Sequence, residues 1–104
     1  MENTMDAVRT KLSEIEKQYK EIVEKLMDEK VMSDPKLLTK LSKEQARLTQ
    51  PVEAYHQLLE LDSRIAQADE MLKENDPELK EMARMEKDEC EPEREALLER
   101  IQHL

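Results

Sequence analysis

Apolar side chains recur near the start of the chain at Met5, Val8, Leu12, Ile15, Tyr19, Ile22 and Leu26, in alternating steps of three and four. That spacing keeps one face of a helix apolar and is the seam of a coiled coil or an antiparallel bundle. It predicts a first helix running to about Glu29, with charge pairs such as Glu16 with Lys20 and Glu21 with Lys25 on its wet faces. Residues 1–3 are expected to fray, with Asn3 or Thr4 as the cap. A second and longer helix is predicted over residues 33–73, because Leu37, Leu41, Leu48, Val52, Tyr55 and Leu59 hold one stripe. Leu58, Leu61, Ile65, Ala68 and Leu72 continue it from a slightly rotated one. Such drift is expected when 3.6 residues per turn meet a seven-residue repeat. A stripe that long cannot be buried by its own helix, so the flanking segments have to cover it.

Prolines mark the corners. VMSDP at 31–35 reads as the first, since the residue before Pro is pushed out of the α region and Ser or Asp caps the next helix. Asn75-Asp76-Pro77-Glu78 reads as the second, with Asp76 as N-cap, Pro77 at the first helical position and acid in the first turn. Short corners make consecutive helices antiparallel neighbours. Pro51 lies inside the second helix, where it removes a backbone donor, and predicts a kink or a break capped by Thr49. The third helix is expected from Pro77 toward His103, anchored by Leu79, Met82, Ala83, Leu97, Ile101 and Leu104. Its middle, RMEKDECEPERE, offers only Met85 and Cys90 as apolar side chains and contains Pro92, so that turn is expected to be kinked or mobile.

The chain has 104 residues, enough for one domain, with no Gly, Phe or Trp. Unbranched helix formers dominate and β-branched residues are scarce. The fold class is therefore all-α: a three-helix antiparallel bundle with coiled-coil-like packing, residues 1–104 forming one helical domain whose long central helix is kinked near Pro51. Its expected core is Leu12, Ile15, Ile22, Leu41, Val52, Tyr55, Leu59 and Ile65.

Charge narrows the partners. The formal net charge is −9, and the acid is concentrated in the last third. An acidic surface repels phosphate, so tight nucleic-acid binding by this domain is not expected. Cys90 stands alone and has no internal disulfide partner, and no apolar run is long enough to span a membrane, which implies a cytoplasmic, soluble protein.

Candidate chemistry is thin. His56 and His103 lie far apart and have no ligand-spaced companion, so an ordinary solvent-facing histidine is the default for each. Acidic neighbours raise the pKa of Cys90, the wrong direction for a nucleophile. The acids from Glu86 to Glu95 lack the Gly and alternating ligands of a calcium loop and read as a solvated helix face. Met71, Met82 and Met85 read either as ordinary core or as an adaptable docking patch. Without Gly no phosphate-cradling loop exists, and no Ser, His and acid set is recognisable. The residues assign no catalytic, cofactor-binding or metal-ligating position, call for no cofactor and do not point to an enzyme.

Four segments in order carry a resemblance: LSEIEKQYKEIVEKLMD, VMSDPKLLTKLSKEQARL, PVEAYHQLLELDSRIAQADEML and NDPELKEMAR. With them the chain resembles the N-terminal domain of bacterial class I peptide chain release factors, of the release factor 1 type that answers UAA and UAG. The release factor 2 type usually carries a Trp near the first corner, absent here. CEPERE, at 90–95, departs from the Glu-rich, proline-free helix usual in the family.

The resemblance implies an accessory domain of a translation termination factor that directs peptidyl-tRNA hydrolysis. The family's Gly-Gly-Gln and Pro-x-Thr elements are not in this chain: it has no Gly, and none of Pro35, Pro51, Pro77 or Pro92 has Thr two residues on. The resemblance thus implies an excised domain that contacts the ribosome near the large-subunit stalk base. It further implies communication with the class II release-factor GTPase and the glutamine methyltransferase. A different reading stays open, a freestanding coiled-coil scaffold or dimerisation module that pairs through the Met5 to Leu26 seam.

Overall fold

The computed structural model describes residues 4–104, and the fraying expected at 1–3 and the cap expected from Asn3 lie outside the described residues. Thr4, the other cap expected, is the first residue of the first helix. Among the described residues the chain is all-α and has no strand: α1 Thr4–Leu26, α2 Glu29–Met32, α3 Pro35–Met71 and α4 Pro77–Ile101. Two compact units divide it, one running up to Tyr55 and the other from His56 to Leu104.

In the first unit α1 ends at Leu26, earlier than the periodicity suggests, because Asp28 starts a new turn. Its carboxylate accepts the Lys30 amide at 2.9 Å and so caps α2, a single helical turn that sequence reading merges into the first helix and the first corner. That extra turn carries Val31 into the core, where it joins Ile22, Leu41 and Leu48, with Ile15, Tyr19 and Leu26 packed against them. No glycine is needed at the corner. Ser33 stays right-handed (φ −88, ψ −1) and its hydroxyl donates to the Glu29 carbonyl, which closes the helix end. Asp34 then caps α3 by accepting the Leu37 amide at 3.2 Å, with Pro35 at the first helical position.

α3 is unbroken through Pro51. Thr49, expected as a cap for a break there, instead donates its hydroxyl back to the Gln45 carbonyl at 2.8 Å, as a threonine inside a helix does. Leu12, Ile22, Leu41 and Val52 are buried as expected, Ile15 and Tyr55 are half-buried, and Leu37 is 37% exposed.

The second unit is an antiparallel pair made by the end of α3 and all of α4. Asp76 caps α4 by accepting the Glu78 amide at 2.9 Å, with Pro77 at the first position, as the sequence indicates. From α3, Leu58, Leu61 and Ala68 are buried; from α4, Ala83, Cys90 and Leu97, spaced by seven, are buried. The rotated stripe is therefore the real seam. Leu58 is 0% exposed and Leu59, expected in the core, is 41% exposed, because the step from Val52 to Ala54, Leu58 and Leu61 turns Leu59 outward. Ile65 is half-buried. Two anchors expected on α4, Met82 and Leu104, are exposed, whereas Leu79 and Ile101 are half-buried.

The weak middle of α4 is helical through Pro92. Where apolar residues would complete the seam beside Cys90, α4 carries Glu86, Lys87 and Arg94, and α3 answers each with opposite charge. Cross-helix ion pairs thus finish a surface that apolar side chains leave incomplete.

Candidate functional site

Polar geometry is richest on the second unit. Arg64 Nε donates to Glu86 Oε1 at 2.6 Å, and the Arg64 guanidinium also lies 3.9 Å from Glu89. Lys87 Nζ sits 2.8 Å from Asp69 and 3.5 Å from Glu91. Arg94 Nε donates to Asp62 at 2.5 Å, and Arg100 reaches Gln57 at 3.3 Å. The pairs run in opposite directions along the two helices, from Gln57 with Arg100 through Asp62 with Arg94 to Arg64 with Glu86, and Asp69 with Lys87 follows beside the last. The pairs therefore fix the antiparallel register.

Their electrostatics are those of structural pairs. The hydrogen bond from Arg64 holds the Glu86 carboxyl below the usual carboxylate range, with a second contribution from Cys90, and Glu86 in turn raises Arg64. The hydrogen bond to Asp69 raises Lys87. Cys90 is fully buried, and its Sγ lies 3.4 Å from Glu86 Oε1, to which it donates. Burial pushes the thiol up, and the Glu86 carboxylate pushes it further. Such a thiol is held protonated and covered, which is unsuited to nucleophilic attack. The acids from Glu86 to Glu95 lie on a continuous helix, and among the described residues no three His, Cys, Asp or Glu side chains group to hold a metal ion. His56 and His103 are both exposed and both in the second unit, one on α3 and the other beyond the end of α4.

What the surface offers is contact. Met82 and Met85 are 59% and 64% exposed on α4, three apart and so side by side on the helix. Met71 is half-buried on α3 and shares with Met82 a shallow groove lined also by Arg64, Gln67, Ala68 and Glu86. Met82 and Met85 are thus not ordinary core, the first of the two readings weighed for these methionines. A second set of exposed apolar residues, Met27, Met32 and Leu37, falls in the stretch of chain around the corner of the first unit. Neither methionine falls on the Met5 to Leu26 seam, so the periodicity carries no signal for this group. No helix among the described residues is long and apolar enough to cross a membrane.

Residues 15–104 match the PCRF domain family. The chain is 40% identical over 95 residues to a Geobacillus kaustophilus protein named peptide chain release factor 1, covering 90% of this chain and 26% of that protein. An Enterococcus faecalis protein of the same name is 40% identical over 94 residues, with 89% and 26% covered. One from Bacillus subtilis is 37% identical over 95 residues, with 90% and 27% covered. The chain thus spans about a quarter of the length of these relatives. No solved structure matches it. The family match covers most of the first helical unit and all of the second, with the cross-helix ion pairs described above, and on that ground the chain belongs to the PCRF domain family.

Proposed function

We propose that this chain is the accessory helical domain of a translation termination factor that directs peptidyl-tRNA hydrolysis at UAA and UAG, acting in the cytoplasm. It supplies contacts to the ribosome and partner proteins, not chemistry. The observation that carries the reading is the PCRF match over residues 15–104, joined to relatives named peptide chain release factor 1 of which the matched stretch is 26%. The geometry supports it in kind. Its titratable pairs lock one helix against another and its one thiol is buried, so what it presents outward is charge and methionine. Contact with the stalk base of the large subunit, with the class II release-factor GTPase and with the glutamine methyltransferase belongs to this proposal. Direct tight binding of nucleic acid does not, given a net charge of −9. Self-pairing through α1 is disfavoured because Leu12 and Ile22 of its seam are already buried within the first unit.

The test is to delete residues 1–104 from a full-length factor that carries this domain and to confirm that the remainder is folded. The release rate at saturating factor is expected to stay substantially intact, while half-saturating concentration and GTPase-stimulated recycling worsen. A loss of about a thousandfold in the saturating rate, roughly 4 kcal/mol of barrier, would show that the domain shapes the reacting site and would overturn the proposal.

A further inference from the structure

The exposed methionines of α4 sit in a one-sided electrostatic setting. At about 100° per residue, Glu78, Glu89 and Glu93 share the arc of Met82 and Met85, with Glu81 at its edge. The bases Lys80, Arg84, Lys87 and Arg94 all lie more than about 100° from the middle of that arc. Arg100 returns to it only at the far end of the helix, about 20 Å beyond Met85, where it reaches Gln57. Arg64, the base that borders the adjoining groove, is tied to Glu86 at 2.6 Å and reaches Glu89 only at 3.9 Å, so it offsets one rim carboxylate in part and leaves Glu78 and Glu93 unopposed by it. The result is a methionine stripe with an acidic rim, continuous with the groove that holds Met71 and Met82.

We propose that this stripe docks a cationic amphipathic helix of a partner protein, aliphatic residues against the methionines and lysine or arginine against the rim. Methionine is unbranched and polarizable, so it adapts to varied aliphatic side chains, and a groove between two helices accepts a third by its apolar face. The rim selects the sign of the partner. It repels nucleic acid and anionic lipid, and it repels a second copy of this chain, whose net charge is −9. The inference rests on the reading of the chain as a contact module but names a surface that the release assay does not probe.

The experiment uses the chain with ¹³C-labelled methionine ε-methyl groups and a synthetic helical peptide that carries leucine on one face and lysine on the other. On titration at about 50 mM salt, where screening is modest, Met82 and Met85 methyl signals are expected to shift before those of Met27 and Met32. Met82→Gln with Met85→Gln is expected to weaken binding about tenfold or more with circular dichroism and melting unchanged, and Glu78→Gln with Glu89→Gln to weaken it as much while the chain stays helical and melts only slightly earlier. Replacing the peptide's lysines by glutamate is expected to abolish binding. The proposal is overturned if Met27 and Met32 respond at the same peptide concentration, if either double variant binds like the parent, or if the glutamate peptide binds equally well. It is also overturned if sedimentation shows that the chain self-associates and the Met82→Gln, Met85→Gln variant does not.

Discussion

Leu58 and Leu59 are neighbours of the same type with opposite fates, one wholly buried and the other 41% exposed. The periodicity admits both, since either continues the spacing from Tyr55, and only the partner helix decides between them. Truncating Leu58 removes buried methyl groups and leaves a cavity, so Leu58→Ala is expected to destabilise the second unit by about 2–5 kcal/mol. Leu59→Ala is expected to change stability by less than about 1 kcal/mol. Urea unfolding of the two variants, followed by helical circular dichroism, checks the assignment. Equal losses would return Leu59 to the core. Glu86 and Arg94 teach the complementary lesson. As residues they read as solvated charge, and their pairing with Arg64 and Asp62 was invisible because the partners lie 22 and 32 residues away.

At the scale of elements, the helix starts were the most legible feature, because a cap is a local event. Asp76 before Pro77 satisfies an orphan amide at the N-terminus of α4, and Asp34 before Pro35 does the same for α3. Asp76→Ala should therefore cost about 1 kcal/mol, and Asp76→Asn, which keeps the accepting oxygen, considerably less. Thermal melts of the pair measure the difference. A loss equal in both would point to charge at the helix terminus instead of the hydrogen bond. Helix ends were less legible, since without glycine nothing in the sequence separates α1 from α2 except Asp28, which a reading by apolar spacing passes over. Of the kink or break that Pro51 allows, the break does not occur, and both Pro51 and Pro92 lie inside helices that continue past them.

For the whole molecule, the all-α class and the order of long helices followed from composition and period, while the division into two units did not. The apolar stripe of α3 runs continuously through Tyr55 and His56, so nothing in its pattern announces where one unit gives way to the next. The proposed docking stripe was half legible. Met71, Met82 and Met85 stood out as residue types at helical spacing, but which of them face outward depended on the seam that Ala83, Cys90 and Leu97 form.

That seam has a further consequence. Its cysteine is the chain's sole thiol and belongs to the second unit, so the protein carries a built-in reporter of breathing in half of its length. A thiol-blocking reagent reaches Cys90 only when α3 and α4 part, and its rate under native conditions measures the free energy of that opening. Leu58→Ala is expected to accelerate modification strongly. Leu41→Ala, in the core of the first unit, is expected to leave it nearly unchanged if the units open separately, and to accelerate it equally if they open as one. Mass spectrometry of the alkylated chain over time thus reads the cooperativity of the two helical units from a single sulfur atom.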